Sequence, residues 1–491
     1  MKLTELLSSL PFYETTTQQL DEFEVNKIQM DHRKIQADDL FVCIKGFTVD
    51  GHDFAEQAIE NGAQIILAEK ELDVTVPTII VADTSRSLAK IAAKFFDYPS
   101  EKLPLIGITG TNGKTTTSYL LEAIFSHYGK KTGLIGTIQM KIGDQSFPVT
   151  NTTPDSLLLQ KTFKQMVDED VDIAMMEVSS HALDMGRVNG TEFDLAVYTN
   201  LSQDHLDYHK DMDDYARAKS LLFSQLGNNY RNENRKYAII NEDDPYRDLF
   251  KGSTAQHLLT YGCERTADIM ATNIKQGVIK TSFTLETPVG NIDITSHLIG
   301  LFNVYNMLAA SSAAIAMGVP LTVIKEALES MYGVDGRFEQ VVEGQGFGVI
   351  VDYAHTPDSL ENVLQTIRAF STQKVYVVVG CGGDRDRAKR PLMANMALQY
   401  ADLALFTADN PRTEDPDTIL EDMIKGQEQH HYEVIPDRKA AIQHAIELAH
   451  DDDIILIAGK GHETYQEINQ IKYDFDDRKI AREAIHNKEN S

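Results

Sequence analysis

Cysteine is scarce in this chain of 491 residues, and Cys43, Cys263 and Cys381 lie far apart. Their spacing matches neither a disulfide framework nor a cysteine metal site. A few widely spaced cysteines are typical of proteins in a reducing compartment, where each thiol more often contributes packing than chemistry. We therefore expect a cytoplasmic protein.

Long apolar runs and basic residues are also scarce. No run is long enough to span a bilayer and the N-terminus has no signal-peptide pattern, so we expect no membrane insertion. The chain has 46 Lys and Arg against 74 Asp and Glu, which gives a net charge of −28. Such a chain repels nucleic acid, and this argues against a nucleic-acid partner. Nucleotide phosphates would have to be met by local basic groups, helix N-termini and Mg²⁺.

The length is too great for one hydrophobic core and predicts several domains. Apolar strand-like segments alternate with helical runs, which favours an α/β fold with ligands at the carboxyl ends of its strands. We predict three domains: a small α/β domain over residues 1–98, a central P-loop, doubly wound sheet with appended antiparallel strands over 99–335, and a Rossmann-like α/β domain over 336–491. The predicted strands include Asp39–Ile44, Gln64–Glu69, Pro77–Ala82, Asp172–Val178, Asp194–Tyr198, Tyr237–Asn241, Thr281–Thr287, Ile292–Leu298, Gly348–Tyr353, Lys374–Gly380, Leu403–Thr407 and Asp453–Ala458.

The most informative segment is a glycine-rich loop, Thr109–Thr115, between an apolar strand and a helical run that continues towards Phe125. Glycines let backbone N–H groups curl around a phosphate, and the helix N-terminus adds a favourable partial charge. Lys114 would reach the terminal phosphates, and the Thr115 hydroxyl would bind Mg²⁺. The alternative is a glycine turn in an ordinary βα unit, because Ile108 stands where the common pattern has its first glycine.

Polar side chains follow two predicted strands downstream of this loop. Glu177 comes at the end of one apolar strand, and His205 lies in the polar segment Asn200–Asp207 after the next. Together with Thr115 they offer oxygen ligands and one imidazole to Mg²⁺. Each residue taken singly could instead be a helix cap or a core histidine.

Lys219 lies on a predicted helix among small and apolar neighbours. By itself it could be a surface lysine whose alkyl chain covers apolar surface. The alternative is a partly buried amine with a lowered pKa, nucleophilic enough to carry a modification.

These motifs, in this order, resemble the Mur ligase family of ATP-dependent amide-bond ligases over essentially the whole chain. The resemblance rests on Thr109–Thr115 and on three further blocks, Gly300–Asn306, Gly336–Glu339 and Asp352–Pro357. It implies that ATP is a cosubstrate and Mg²⁺ a cofactor, and that Lys114, Lys219 and His205 are catalytic. The implied metal ligands are Thr115, Glu177, His205 and Lys219, the last as a carbamylated lysine (N6-carboxylysine). The implied ATP-binding residues are Thr109, Gly110, Thr111, Asn112, Gly113, Lys114, Thr115, Asn303, Arg337 and Asp352.

Within the family, the chain most resembles the MurE type, because Asn151–Pro154 is similar to the segment that holds the muramoyl-dipeptide in those enzymes. The resemblance implies that the N-terminal domain binds the UDP end of this substrate. In the segment Asp31–Arg33, His32 stands where the family often has serine. The implied contacts to UDP-muramoyl-dipeptide are His32, Phe47, Thr48, Val49, Asn151, Thr152, Thr153, Ser179 and Arg187.

The segment Asp409-Asn410-Pro411-Arg412 resembles the signature of MurE-type enzymes that add meso-diaminopimelate. Diaminopimelate has a carboxylate and an ammonium group at its far end, whereas lysine has only the ammonium group. A guanidinium pairs bidentately with that carboxylate and would be left unpaired over lysine. By resemblance, Arg385 is a second carboxylate contact, and the Gly459 carbonyl and Glu463 accept hydrogen bonds from the far ammonium group. The alternative for this segment is an Asx turn with a surface arginine.

The resemblance implies an enzyme that adds meso-diaminopimelate to UDP-N-acetylmuramoyl-L-Ala-D-Glu through an acyl phosphate, in the synthesis of peptidoglycan precursors. Its partners would be these small molecules and ATP, and we expect a monomer. The alternatives are an L-lysine-adding ligase of the same type, a ligase similar to folylpolyglutamate synthetase, and a P-loop switch that uses ATP to change partners.

Overall fold

The computed structural model of the protein describes residues 1–46, 49–206, 208–228, 236–277, 279–334, 336–427 and 431–489. The chain divides into two compact units. The first unit contains Met1–Asp268 and Ala309–Val319, and the second contains Ile269–Leu308 and Pro320–Ser491. Every helix among the described residues is too short or too polar to cross a lipid bilayer.

The N-terminal part of the first unit is a small sheet with helices packed against it. Its apolar core includes Leu3, Leu40, Ile65 and Ile91. The elements are α1 (Leu3–Leu7), β1 (Glu14–Thr15), β2 (Ile28–Gln29), β3 (Asp39–Val42), α2 (Ala55–Glu60), β4 (Ala63–Ala68), β5 (Thr78–Ile80) and α3 (Thr84–Phe95), with 3₁₀ turns at Leu20–Glu22, His32–Lys34, Gly51–Phe54 and Pro99–Glu101. The strand order is β1-β5-β4-β3-β2, with β1 antiparallel to β5 and the other neighbours parallel.

The remainder of the first unit is built on a largely parallel sheet. Its elements are β6 (Leu105–Thr109), α4 (Lys114–His127), β7 (Thr132–Ile135), β8 (Met140–Ile142), β9 (Gln145–Phe147), α5 (Ser156–Asp168), β10 (Ile173–Glu177), α6 (Ser180–Asp184), β11 (Leu195–Tyr198), α7 (Met212–Ser224), β12 (Tyr237–Asn241), α8 (Arg247–Gly252) and β13 (His257–Gly262). The strand order is β13-β12-β11-β6-β10-β7-β8-β9. The strands from β13 to β7 are parallel, and β8 and β9 continue the sheet in antiparallel pairing.

The central strands of this sheet are buried along their whole length. Every residue of β6, β10 and β11 is buried, as expected for parallel strands that carry helices on both faces. The core packed on them includes Phe163, Met176, Phe193 and Leu222. Because the strands are parallel, the carboxyl ends of β6, β10 and β11 lie at one edge of the sheet, where α/β proteins bind ligands.

The second unit begins with three antiparallel strands, β14 (Ile269–Gln276), β15 (Thr281–Thr287) and β16 (Gly290–Ser296). Helix α9 (Leu301–Ala316) belongs to this unit as far as Leu308 and to the first unit from Ala309, and α10 (Leu321–Ser330) belongs to the second unit. Strand β15 pairs with β14 on one side and with β16 on the other. Buried and partly exposed residues alternate along β15, which is the pattern of an antiparallel strand with one face on a core.

The rest of the second unit is another parallel sheet. Its elements are β17 (Glu339–Gln340), β18 (Gly348–Asp352), α11 (Pro357–Phe370), β19 (Val375–Val379), α12 (Lys389–Tyr400), β20 (Leu403–Phe406), α13 (Pro416–Ile424), β21 (Tyr432–Val434), α14 (Arg438–Leu448), β22 (Ile454–Ala458), β23 (Tyr465–Ile468), β24 (Ile471–Asp474) and α15 (Asp477–Glu489). The strand order is β17-β18-β22-β19-β20-β21, with β17 antiparallel, while β23 and β24 form a separate hairpin.

The structure confirms the predicted α/β fold class, and the ends of the predicted strands agree with the observed ones to within two residues. The predicted antiparallel hairpin has a third strand, β14, that the sequence pattern did not reveal. Strand β14 is interrupted by a register shift between Thr272 and Lys275, where Asn273 has a φ of 53°. This irregularity breaks the apolar alternation that identifies a strand. The proposed domain ends at residues 98 and 335 stay predictions, and Asp335 lies outside the described residues.

Candidate functional site

The glycine-rich loop connects the carboxyl end of β6 to the first turn of α4, as predicted. Its glycines have the positive φ angles that such a turn requires, 148° at Gly110 and 86° at Gly113. The ammonium group of Lys114 donates to the carbonyl oxygens of Gly110 and Thr111, each at 2.7 Å. The lysine is thereby folded over the loop at a helix N-terminus, which is the arrangement that binds phosphate groups.

The end of β11 holds this loop in place. The side-chain oxygen of Asn200 accepts from the Asn112 N–H at 3.0 Å, and its amide donates to the Asn112 carbonyl at 3.1 Å. The Thr199 hydroxyl donates to the same carbonyl at 2.7 Å. A Cβ atom at Gly110 would lie 1.9 Å from that hydroxyl oxygen, so only glycine fits there. The sequence pattern did not reveal this supporting role of Thr199 and Asn200.

Glu177 ends β10 as a fully buried carboxylate. It accepts hydrogen bonds from the Thr115 hydroxyl at 2.9 Å, and from the Thr137 hydroxyl and N–H at 2.9 Å each. The Thr137 hydroxyl also lies 3.1 Å from the hydroxyl of Thr152. A carboxylate among hydroxyl groups is a set of hard oxygen donors that suits Mg²⁺. Thr137 was not predicted, although its position after Gly136 at the end of β7 is the kind of strand-end signal used for Glu177.

Among the described residues, no group of three or more His, Cys, Asp and Glu side chains is arranged to hold a metal ion. The predicted metal ligands Thr115, Glu177, His205 and Lys219 stay a prediction.

Lys219 on α7 is almost fully buried, so the alternative of a surface lysine is wrong. Its ammonium group donates to the Gly110 carbonyl at 2.8 Å and lies 4.5 Å from the centre of the Tyr215 ring. Burial lowers the pKa of Lys219 well below its ordinary value, and the charge of Lys114 lowers it further. The amine therefore lies beside the phosphate loop and is neutral more often than an exposed lysine.

His205 also lies near Tyr215, with a distance of 6.0 Å between the two ring centres. Its backbone has a φ of 55° and its ring meets His181 edge to face at 5.0 Å. Its Nε2 lies 3.5 Å from a carboxylate oxygen of Asp204. The structure thus brings His205 and Lys219 to one tyrosine ring, as expected if they serve one site.

The residues expected to contact the dipeptide part of the substrate form a connected network. The Thr153 hydroxyl donates to the Glu177 carbonyl at 2.9 Å and accepts from the Ser179 N–H at 3.0 Å. Arg187 donates to the Thr153 carbonyl at 3.1 Å. The Ser179 hydroxyl also caps α6. Thr153 is buried. Its hydrogen bonds join the end of β10 to Arg187, and it follows Asn151 and Thr152 in the chain.

Two cavities of the first unit share lining residues, and the first of them touches this network at Arg187. One has a volume of about 590 Å³ and is lined in part by Lys45, Gly46, Asn151 and Arg187. The other, of about 620 Å³, shares Met30 and Asp155 with the first and is also lined by Asp31 and Lys34. The first cavity has the size expected for a small-molecule site.

The residues expected at the UDP end of the substrate are partly described. The ring of His32 stacks on Phe54 with 4.6 Å between the ring centres. Val49 is about half exposed. Phe47 and Thr48, predicted for the same loop, lie outside the described residues.

In the second unit, Asp352 ends β18 as a buried carboxylate. It accepts from the N–H groups of Phe338 at 2.7 Å and of Ala354 at 2.8 Å, and burial raises its pKa. The guanidinium of Arg337 lies 5.5 Å from the centre of the Tyr353 ring, and its buried Nε has no hydrogen-bond partner among the described residues. Asn303 donates to the Ile299 carbonyl at 2.9 Å.

The predicted amino-acid segment follows β20, and its first two residues are buried. The Asn410 side chain donates to Glu463 at 2.9 Å and accepts from Lys460 at 2.9 Å. Lys460 is fully buried and also donates to Glu463 at 3.2 Å. A Cβ atom at Gly459 would lie 2.4 Å from the Asp409 carboxylate. The structure thus brings together Asp409, Asn410, Gly459 and Glu463, and adds Lys460, which was not predicted.

Arg412 is held rather than projecting freely from the surface. Its φ is 50°, its guanidinium donates to the Gly383 carbonyl at 2.8 Å, and its Nε lies 3.4 Å from Glu467. A Cβ atom at Gly382 would lie 2.9 Å from the Arg412 guanidinium and 3.9 Å from Cγ of Arg385. Both predicted arginines therefore lie against Gly382, and the carbonyl of the predicted Pro411 accepts from the Glu414 N–H at 3.0 Å.

Three family models match this chain in succession. "Mur ligase family, catalytic domain" matches residues 24–96, "Mur ligase middle domain" matches 108–314, and "Mur ligase, glutamate ligase domain" matches 336–461. These spans fall within the three predicted domains.

Full-length relatives are also similar. The UDP-N-acetylmuramoyl-L-alanyl-D-glutamate--2,6-diaminopimelate ligase of Oceanobacillus iheyensis is 60% identical, over 99% of this chain and 100% of its own length. The ligase of the same name from Bacillus cereus is 55% identical, over 99% of this chain and 98% of its own length. A solved structure with that name is 34% identical, with a TM-score of 0.74 and coverage of 99% of both chains.

Proposed function

This chain belongs to the Mur ligase family, and we propose that it adds meso-2,6-diaminopimelate to UDP-N-acetylmuramoyl-L-Ala-D-Glu at the expense of ATP. The observation that carries the proposal is the 60% identity to a ligase of that name over essentially the whole of both chains. The protein is therefore an ATP-dependent amino-acid ligase of peptidoglycan precursor synthesis. We further propose that it acts as a monomer in the cytoplasm.

The reaction has two steps. An oxygen of the D-Glu γ-carboxylate attacks the γ-phosphorus of ATP, the bond to the β-phosphate oxygen breaks, and ADP leaves. The product is an acyl phosphate. The amine of diaminopimelate then attacks the acyl carbon, an amide forms, and inorganic phosphate leaves with the loss of one amine proton. Both steps depend on charge neutralisation and alignment more than on covalent help from the protein.

The phosphate loop binds and orients the triphosphate. Lys114 lies over this loop, where its charge would offset the negative charge that shifts among the phosphate oxygens. Its bonds to two loop carbonyls hold the ammonium group ready before ATP arrives. In the second unit, Asn303, Arg337 and Asp352 are proposed to bind the nucleotide, with the unpartnered Nε of Arg337 as a donor.

Mg²⁺ would be held by Thr115 and Glu177 and by His205 with carbamylated Lys219. When bound, it would neutralise phosphate charge and orient the reacting oxygens. The hydroxyl and carboxylate donors around Glu177 support this proposal. The buried amine of Lys219 supports its carbamylation, because a neutral amine reacts with CO₂ and then releases one proton to leave an anionic carbamate.

The muramoyl-dipeptide is proposed to bind in the first unit. Asn151 and Arg187 line the 590 Å³ cavity. The hydrogen bond from Arg187 to the Thr153 carbonyl orients the guanidinium. The remaining proposed contacts are His32, Phe47, Thr48, Val49, Thr152, Thr153 and Ser179.

The far end of diaminopimelate is proposed to bind between two sets of side chains in the second unit. Arg385 and Arg412, which both lie against Gly382, would pair with its carboxylate. Glu463, with the Gly459 carbonyl, would accept from its ammonium group. Asn410 and Lys460 hold Glu463 in position.

A phosphate-release assay tests the proposed function. We expect ADP and phosphate to form only when UDP-N-acetylmuramoyl-L-Ala-D-Glu, meso-diaminopimelate and ATP are all present. In competition, meso-diaminopimelate should be preferred over L-lysine by about 100-fold or more in kcat/KM, since lysine has no far carboxylate to pair with Arg385 and Arg412. Preference for lysine would identify the L-lysine-adding alternative. ATP turnover without either cosubstrate would favour a P-loop switch.

Arg412→Leu should lower kcat/KM for meso-diaminopimelate by about 100-fold and leave that for L-lysine within about threefold, since only the first substrate has the far carboxylate. The matched control is Arg482→Leu, which removes an exposed arginine of α15 that pairs with Glu343. Rates with the two amino acids are compared in the same assay. An equal loss for both amino acids would contradict a carboxylate-reading role for Arg412.

A further inference from the structure

Two loops carry the arginines proposed to read the far carboxylate. The Arg385 loop (Gly380–Arg387) follows β19, and the Arg412 loop (Asp409–Glu414) follows β20, which is the neighbouring strand. Each loop contains a residue other than glycine in the left-handed region, Asp384 with a φ of 54° and Arg412 with a φ of 50°. Such conformations persist when surrounding contacts hold them.

Short contacts join the two loops directly. The Gly383 N–H donates to the Asn410 carbonyl at 2.9 Å. The Thr413 hydroxyl donates to the Asp384 carboxylate at 2.7 Å. A Cβ atom at Gly383 would lie 2.0 Å from the Pro411 carbonyl oxygen. The two backbones are therefore as close as glycine allows.

A buried guanidinium paired with two partly exposed carboxylates lies behind these contacts. The guanidinium of Arg390, on α12, is fully buried and donates to Glu414 at 2.8 Å and to Asp422 at 2.8 Å. The Glu414 oxygen that it contacts also accepts from the Asp384 N–H at 2.6 Å. The Glu414 carboxylate, at the end of the Arg412 loop, thus joins Arg390 on helix α12 to Asp384, the residue that precedes Arg385.

Resting on the proposed function, we propose that Arg390 and Glu414 are positioning residues that set the spacing of Arg385 and Arg412, and so the preference for an amino acid with a far carboxylate. Neither residue needs to contact the substrate for this role. Arg385 is exposed and Arg412 is partly buried, and their like charges favour separation. The ion pair opposes that separation by tying both loops to α12.

An ion pair on a buried guanidinium is weak evidence for stability, because an apolar pair of similar size often serves as well. Two carboxylates hold the Arg390 guanidinium, whose buried Nε has no hydrogen-bond partner among the described residues. Its direction is therefore set by Glu414 and Asp422. A fixed direction matters where two guanidiniums must match one carboxylate, since a displacement of about 1 Å can cost about 100-fold in rate.

The test compares Glu414→Gln with Thr413→Val in the full-length protein. Glu414→Gln removes the charge that holds Arg390, and Thr413→Val removes an exposed bond between the loops, so at least the second should fold normally. The control is Arg368→Gln, which breaks an ion pair with Asp402, at the opposite end of β20 from the Arg412 loop. For each variant we measure kcat and KM for meso-diaminopimelate, L-lysine and ATP, with the melting temperature.

We expect Glu414→Gln to lower kcat/KM for meso-diaminopimelate by about 10- to 30-fold, mainly through KM, and to change that for L-lysine by less than about threefold. Thr413→Val should act in the same direction by about three- to tenfold. Arg368→Gln should leave the ratio of the two amino acids unchanged, and KM for ATP should stay constant throughout. Glu414→Asp should recover part of the lost preference, because it restores the charge.

The inference is overturned if both loop variants keep the wild-type preference, or if the rates with both amino acids fall equally alongside the melting temperature. The second result would indicate an ordinary structural role. A wild-type protein that does not use meso-diaminopimelate would instead contradict the proposed function, so the two failures are distinguishable.

Discussion

Lys114→Met is expected to lower kcat for phosphate release by about 1,000-fold, the largest effect of any substitution considered. The ammonium group lies over the phosphate loop, bonded to the carbonyls of Gly110 and Thr111. It supplies positive charge where the transferred phosphoryl group gains negative charge, and one well-placed donor is typically worth a factor of 100 to 1,000, with more for a full charge. Methionine keeps the apolar stem and removes the charge.

The matched control for Lys114→Met is Lys130→Met. Lys130 lies beyond the end of α4 and forms an exposed ion pair with Asp172, so its removal should change kcat by less than about twofold. Both variants are assayed under saturating ATP and compared by circular dichroism. A folded Lys114→Met protein with a rate within tenfold of wild type would show that the loop does not act on the transferred phosphate.

Lys219→Ala should lower kcat by about 100- to 1,000-fold. Carbamylation would convert this buried amine into an anionic oxygen ligand, and the lowered pKa of Lys219 favours the neutral amine that this reaction requires. Small carboxylates such as acetate or formate should restore part of the activity in Lys219→Ala, because the truncated side chain leaves space for an anion beside Tyr215.

A second variant, Lys219→Arg, separates charge from modification. Arginine keeps the positive charge beside the Gly110 carbonyl but is always protonated and forms no carbamate. We expect it to be inactive and insensitive to added carboxylates. Its melting temperature is measured alongside, because the site is buried. Full activity in either variant, or wild-type enzyme that takes up no labelled CO₂, would contradict carbamylation.

Most of the fold was predictable from the residue types of short consecutive segments. Strands such as Tyr237–Asn241 are short apolar runs between turn residues, and their ends agreed with the structure. The phosphate loop was predictable for the same reason, since the strand, the glycines and the helix N-terminus are contiguous in the chain. The missed strand β14 shows the limit, because a bulge at Asn273 removes the alternation on which the prediction depends.

The sequence by itself therefore determined the α/β class, the phosphate loop and the positions of Glu177, His205 and Arg412. The signal for each of these features lies in consecutive residues or in the residues that follow a predicted strand. Tertiary structure alone decided that Lys219 is buried against Gly110, that Thr137 shares Glu177 with Thr115, and that Arg390 reaches Glu414. These pairs are separated by 24 to 109 residues. Their burial and hydrogen bonds arise only when distant segments pack together, and no local pattern encodes such packing.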